Sequence, residues 1–253
     1  MDTIPADAIA FLILFARVGA VLMLLPAFGD EGVPGRVRLM LALAMTVALW
    51  GLLSGEALPV ARAGGDGLLG VILAELLTGL GLGMMVKLMF LAIATAGSIV
   101  SLQVGLTTAL VFDPAMGGQT PLLGKLVGLG ATLLCFTLGL HGWWFEALIR
   151  SYECFAPGAP IPAADWANLA VSTASQATAL AIALAAPFLM FGILFNLALG
   201  IAGRLAPTIQ FFFIAQPLMI AGGIALLAVT APAMMAGFAD AYREWLAGAW
   251  AGV

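Results

Sequence analysis

Long apolar stretches constrain the fold of this chain more than any other feature. A helix needs about 20 mostly apolar residues to cross a bilayer. Seven stretches approach or exceed that length, at residues 8–28, 37–53, 68–86, 88–111, 122–148, 171–199 and 209–236. Lys87 alone separates the third from the fourth, so these two can also form one bent helix. The pattern predicts an all-α integral membrane protein with about six to seven hydrophobic helices, some of them kinked or broken.

The charge content agrees with a lipid environment. Of the 253 residues, 63% are hydrophobic and 9% are charged, whereas soluble domains carry ~25% charged residues. So few charged side chains cannot cover the surface of a soluble domain of this size. The net charge is −4 and no basic run is present, which argues against nucleic acid as a partner because a nucleic-acid site needs clustered Lys and Arg.

The connections between the apolar stretches carry turn chemistry. Gly, Pro and Asp gather at residues 29–35, 64–67, 112–121 and 156–165, and Pro and Gly interrupt helices because one lacks an N–H and the other lacks conformational restraint. The N-terminus is acidic, unlike the basic start of a signal peptide, so the first stretch is predicted to be a retained helix. No internal repeat or soluble domain is visible, and a single membrane-embedded domain over residues 1–253 is predicted.

Glycine pairs spaced by four residues offer two interpretations. Gly79 and Gly83 share one helix face, as do Gly124 and Gly128. Small residues let helix backbones approach closely in membranes, where no hydrophobic force drives helix association. Glycine is also simply frequent in membrane helices, so the spacing alone leaves close packing and chance equally open.

Ionisable residues within apolar stretches are the strongest functional signal, because such groups usually face a protein interior or a wet cavity. Those of this chain are Arg17, Glu75, Lys87, Lys125, His141 and Glu146. The nearest pair of opposite charge in the third and fourth stretches, Glu75 and Lys87, is twelve residues apart and falls on different faces of a straight helix.

No catalytic or metal-binding set is apparent. His141 is the only histidine; it could relay protons or be a hydrogen-bonded structural residue, which is the commoner case. One histidine with the separated Cys135 and Cys154 does not make a metal site. Motifs of hydrolases, metalloproteases and phosphate-binding loops are absent. No catalytic residue, metal or cofactor is therefore predicted.

Four groups of residues, in order along the chain, carry a family resemblance. They are Arg17-Val18-Gly19 with Pro26-Ala27-Phe28-Gly29, Val33-Pro34 and Arg38; Ala96-Gly97 with Gln103-Val104-Gly105, Phe112-Asp113-Pro114 and Pro121; His141 with Arg150-Ser151-Tyr152 and Pro157-Gly158; and Asn196-Leu197-Ala198-Leu199-Gly200 with Arg204, Ala206-Pro207 and Pro217. Their order and spacing resemble the FliR/SctT family of type III protein-export gates across roughly residues 10–230.

The resemblance implies a non-enzymatic gate subunit. Its partners would be FliP-like and FliQ-like gate subunits, FlhB-like and FlhA-like export proteins, and unfolded protein substrates. It would lie in the bacterial inner membrane at the flagellar basal body, with helices packed mainly against sister subunits and partly above the bilayer plane.

The resemblance also implies roles for particular residues. A plug inside the gate would contain Phe112, Asp113, Pro114, Met116, Gly117 and Gly118. Structural positions that match the family are Arg17, Pro26, Pro34, Gln103, Gly105, His141, Pro157, Asn196, Gly200, Arg204, Pro207 and Pro217.

Other interpretations remain open on the residues alone. A small secondary transporter or ion-coupled carrier would suit Glu75, Lys87 and His141 within broken helices, although a carrier should show two related halves. An intramembrane enzyme would need a nucleophile with a base, or a metal set. Without the resemblance, the sequence favours an exposed connecting loop over a plug at residues 112–121.

Overall fold

The computed structural model describes residues 5–30, 32–63, 67–106, 122–159, 163–206 and 211–249. Its helices are α1 (Ala6–Leu24), α2 (Gly35–Ala63), α3 (Leu68–Gln103), α4 (Leu122–Thr137), α5 (His141–Cys154), α6 (Ala163–Leu205) and α7 (Phe211–Ala249). No strand occurs in these described ranges. The all-α prediction is confirmed.

Five helices, α1, α2, α3, α6 and α7, are long and apolar enough to cross a membrane, and the bent pair α4–α5 would make a sixth. The predicted number of about six to seven hydrophobic helices, some broken, is confirmed. Lys87 does not interrupt α3, which continues through it, because lysine is a good helix former. The third and fourth apolar stretches are therefore one helix.

The apolar stretch 122–148, by contrast, forms two helices. They are bent by 74° to each other, and the break contains Gly139 at φ 72°. Glycine adopts this left-handed conformation without steric cost and commonly ends helices. The residues at the break are as apolar as their neighbours, so the sequence alone indicates one continuous stretch at residues 122–148.

The chain divides into two compact units. Unit 1 contains Met1–Met89, Gly139–Ala174 and Leu246–Val253, and unit 2 contains Phe90–Leu138 and Ser175–Trp245. Three boundaries fall inside α3, α6 and α7, and the fourth falls in the break between α4 and α5. That the whole chain acts as one membrane-embedded domain stays a prediction.

In unit 1, α1 packs against α2 and α3 with small residues at the contact. A Cβ atom added to Gly79 would lie 2.5 Å from the backbone oxygen of Arg17, and one added to Gly83 would lie 2.7 Å from the Cβ of Leu24. Atoms cannot approach so closely, so the two helices touch only because these positions lack side chains. Close packing is thus confirmed for this pair.

Unit 2 has a core in which α3, α4 and α6 meet. Val100, Val104, Leu123 and Phe188 form its buried cluster. A Cβ added to Gly124 would lie 2.8 Å from the Oγ of Ser98, whereas one added to Gly128 would find its nearest neighbour at 4.0 Å. Of this second glycine pair, only Gly124 is tightly packed.

Candidate functional site

A buried ion pair joins α1 to α3 in unit 1. The side chains of Arg17 and Glu75 are each only 1% exposed. The Nε of Arg17 donates to one carboxylate oxygen of Glu75 at 2.7 Å, and Nη2 donates to the other at 2.7 Å. Such two-pronged pairs are the strongest and most directional contacts between arginine and carboxylate. Pairing is essential here because an isolated buried charge costs several kcal/mol.

The remaining donors of Arg17 bind the C-terminal end of α5. Nη1 donates to the carbonyl oxygen of Ser151 at 3.0 Å and to its Oγ at 3.2 Å, and Nη2 also donates to the carbonyl oxygen of Phe155 at 2.8 Å. All five N–H donors of a guanidinium therefore have acceptors. The carbonyl oxygen of Ser151 also accepts from the backbone N–H of Phe155 at 2.9 Å, and a cation placed at the C-terminal end of a helix stabilises it.

The ring of Tyr152 completes the surroundings of the guanidinium. The Cζ atom of Arg17 lies 4.0 Å from the centre of this ring, which is a favourable cation–π geometry. Tyr152 is fully buried, so the contact lies away from solvent. One side chain thus ties three helices, α1, α3 and α5, and we call Arg17, Glu75, Ser151, Tyr152 and Phe155 the arginine clamp.

The spacing along α3 explains how the clamp forms. Glu75, Gly79 and Gly83 follow one another at intervals of four residues and so share one helix face. The two glycines bring the backbone of α1 close, as described above, and the carboxylate of Glu75 then reaches Arg17. The same face of α3 therefore provides both the close packing against α1 and the ion pair with Arg17.

Sequence reasoning identified Arg17 and Glu75 separately but missed their pairing. The two residues are 58 positions apart, and the comparison within the apolar stretches was made between Glu75 and Lys87. The structure leaves Lys87 exposed. The sequence did contain a clue to this pair, because Arg17 and Glu75 carry opposite charges within apolar stretches and each could neutralise the other. Because Arg17 neutralises Glu75, the carrier interpretation loses one of its three proposed residues.

A second polar contact lies in unit 2 at the end of α3. The Nε2 of Gln216, on α7, donates to the carbonyl oxygen of Gly105 at 3.1 Å. Gly105 has φ +81° and is buried, and the side chain of Gln103 packs against Gly192 of α6. The structure therefore brings the predicted positions Gln103 and Gly105 to one place, together with Gln216.

The other predicted structural positions lie near helix ends or on exposed helix surfaces, or fall outside the described residues. Pro26 lies in the turn after α1, Pro34 directly precedes α2, His141 begins α5, and Pro157 is buried just after α5. Further along the chain, Asn196, Gly200 and Arg204 are exposed on α6 and Pro217 is exposed on α7. Pro207 and the predicted plug residues Phe112, Asp113, Pro114, Met116, Gly117 and Gly118 lie outside the described residues. These assignments stay predictions.

The clamp is suited to holding helices rather than to chemistry. Its charges neutralise each other, and all donors of Arg17 are occupied. Within the part of the chain that the structure describes, no three His, Cys, Asp or Glu side chains gather in a group that could hold a metal ion.

Comparison with known proteins gives consistent matches over nearly the whole chain. Residues 8–245 match the family described as bacterial export proteins, family 1. The flagellar biosynthetic protein FliR of Caulobacter vibrioides is 36% identical over 92% of this chain and 93% of its own length. FliR of Escherichia coli is 33% identical over 85% of this chain and 82% of its own length. The Yop proteins translocation protein T of Yersinia pestis is 27% identical over 92% of this chain and 90% of its own length.

Proposed function

Since this chain belongs to the bacterial export proteins, family 1, we propose that it is a subunit of a bacterial type III protein-export gate of the flagellar kind. The similarity to the Caulobacter FliR carries this proposal, because 36% identity extends over 92% of the chain. The flagellar relatives at 36% and 33% identity are more similar than the Yersinia translocation protein at 27%, which favours a flagellar gate. The subunit is non-enzymatic and helps form and close the conduit for unfolded substrates.

The exposed apolar surfaces support a role inside an assembly in the inner membrane. On α2, Met40, Val47 and Leu52 are 68%, 63% and 62% exposed. On α6 and α7, Ile193 and Val229 are 63% and 79% exposed. Lipid or other apolar helices must cover such surfaces. The partners proposed are FliP-like and FliQ-like gate subunits, with FlhB-like and FlhA-like export proteins at the basal body.

Co-purification tests the proposal directly. The tagged chain would be expressed with and without the FliP-like and FliQ-like proteins of the same genome, extracted in mild detergent and digested with protease. A stable complex with both proteins is expected, together with a heterogeneous, protease-sensitive chain when they are missing. A monodisperse, protease-resistant monomer that captures neither protein would contradict the proposal.

Closure of the conduit is the more specific part of the proposal. It assigns to a plug six residues that lie outside the described residues, namely Phe112, Asp113, Pro114, Met116, Gly117 and Gly118. Here the thioether of Met116 and the ring of Phe112 would supply adaptable bulk. Deleting residues 115–120 in the assembled complex should make the membrane leak ions. Replacing the same six residues with Gly and Ser separates loss of bulk from loss of length. A deletion variant that assembles and stays as tight as the parent would show that this segment is not the closure.

A further inference from the structure

One face of α3 in unit 1 is exposed along its length. A different face of the same helix carries Glu75 and Gly79, which contact α1 as described above. The exposed face consists of five residues spaced alternately by four and three positions, which we call the α3 seam: Leu73, Leu77, Leu80, Met84 and Lys87. Its four apolar side chains are each between 38% and 56% exposed. Side chains at this spacing interlock when two helices pack side by side.

A charge distinguishes the α3 seam from an ordinary lipid-facing surface. The ammonium group of Lys87 forms no ion pair or hydrogen bond with any residue that the structure describes. A charged group at membrane depth is costly without a polar partner, and lipid tails offer none. Whatever covers the seam therefore has to present an acceptor to Lys87. A carboxylate is the best match, because it accepts hydrogen bonds and also neutralises the charge.

The place of Lys87 along α3 favours a protein carboxylate over a lipid phosphate. Lys87 follows Leu68 by 19 residues and precedes Gln103 by 16, which puts it about 28 and 24 Å from the two ends of the helix at 1.5 Å per residue. Lysine reaches the lipid headgroups readily from the end of a membrane helix. The exposed Lys125 occupies such a position in the first turn of α4. Near the middle of a long apolar helix, a lysine is better neutralised by a neighbouring helix.

We propose that the α3 seam docks an apolar helix of a sister subunit, and that this helix carries an aspartate or glutamate opposite Lys87. The three leucines and Met84 fit the partner through shape, with the flexible thioether filling irregular space. The ion pair sets the register, because an alignment that leaves a charge unpaired between two apolar helices is disfavoured. The inference rests on the proposed function, which supplies the sister subunits, and adds which face binds one of them and by what chemistry.

Charge reversal tests the ion pair in the complex of the chain with its FliP-like and FliQ-like subunits. Lys87→Glu places like charges together, so the recovery of assembled complex in mild detergent should fall about tenfold or more. Lys87→Arg keeps the charge and should assemble close to the parent level. Lys125→Glu is the matched control, because it makes the same change at an exposed lysine where an acidic group suits the helix N-terminus. It should also assemble close to the parent level.

Photo-crosslinking identifies what covers the α3 seam without changing Lys87. A photoreactive amino acid replaces Leu80, which precedes Lys87 by seven positions in the seam, or about two helical turns. A covalent product with one sister subunit is expected, and mass spectrometry of this product gives the helix that was contacted. Replacing the acidic residue of that helix with lysine should then restore the assembly of Lys87→Glu.

The outcomes that contradict the inference are distinct from failure of the proposed function. Normal assembly of Lys87→Glu, or an equal loss with Lys125→Glu, would overturn the ion pair, as would a reciprocal charge change that restores nothing. A crosslink from position 80 to lipid alone, to a second copy of this chain or to no protein would overturn the docking of a sister subunit. If the proposed function itself is wrong, the unmodified chain will already capture neither the FliP-like nor the FliQ-like protein.

Discussion

The two units solve the same problem, holding long apolar helices in one arrangement, by different means. Unit 1 uses charge, since the guanidinium of Arg17 is shared among Glu75 and two carbonyl groups at the end of α5. Unit 2 uses neutral contacts, with the amide of Gln216 on Gly105 and glycines where side chains would collide. A charge buried at low dielectric needs an opposite charge or hydrogen-bond partners. The packing of neutral helix surfaces depends instead on complementary shape. Unit 1 should thus be sensitive to loss of charge and unit 2 to gain of volume.

Removing Arg17 should have the largest effect. Arg17→Ala leaves the carboxylate of Glu75 buried without a partner, which costs about 3–5 kcal/mol for a broken buried pair. We expect a sharp fall in the thermal stability of the purified complex and in the amount of assembled gate. The double substitution Arg17→Ala with Glu75→Ala should recover part of this loss, because no unpaired charge remains.

Arg150 provides the matched control for the clamp. It forms an ion pair with Glu146 at 2.7 Å, but both side chains are more than half exposed. Exposed pairs contribute about 0–1 kcal/mol, so Arg150→Ala should barely change stability. Equal effects of the two arginine substitutions would show that burial of the charge is not what matters in unit 1.

Adding one methyl group to unit 2 should have the next largest effect. A Cβ on Gly97 would lie 2.8 Å from the Cα of Gly124, and two helix backbones cannot move apart without disturbing the core. Gly97→Ala should cost about 1–3 kcal/mol, the range for overpacking, measured by thermal unfolding of the complex. Gly51→Ala is the control, because nothing lies within 4 Å of its added Cβ, and it should be neutral or slightly stabilising. If Gly97→Ala and Gly51→Ala destabilised the complex similarly, the close contact of Gly97 with Gly124 would not explain the effect.

The smallest effect is expected at His141. It begins α5, ten residues before Ser151, or about 15 Å along the helix at 1.5 Å per residue. It therefore lies well away from the end of α5 that Arg17 binds. His141→Gln should preserve assembly and much of protein export. Complete loss of export with normal assembly would instead indicate a proton-linked role, and the sensitivity of unit 1 to charge would then extend beyond the clamp.

Local sequence patterns predicted the helices well and their breaks less well. Apolar stretches of sufficient length predicted the membrane helices. The sequence left open whether the chain forms one helix or two around Lys87, and the structure shows one, in line with the good helix propensity of lysine. The bend after Thr137 was not visible, because Leu138, Gly139 and Leu140 continue an apolar run. Only the left-handed φ of Gly139 distinguishes it from the many helical glycines.

The contacts of the candidate site could not be predicted in the same way. Arg17 was expected to face a protein interior or a wet cavity, but the sequence gives no distance between residues 58 positions apart. In the sequence, Gln216 is only a polar residue in an apolar stretch, and its contact with Gly105 requires the packing of α7 beside the end of α3. The glycine spacing in α3 was the nearest clue, since Glu75 precedes Gly79 and Gly83 on the same face.

The lengths of α6 and α7 have a consequence for the cell. With 43 and 39 residues, they extend about 64 and 58 Å at 1.5 Å per residue, roughly twice the ~30 Å hydrocarbon thickness. Even at a tilt of ~40°, the upper end of the observed range, a straight helix of either length would extend well beyond the lipid. Where neither lipid nor another protein covered them, the apolar flanks of these helices would be exposed to water, and large exposed apolar surfaces favour aggregation.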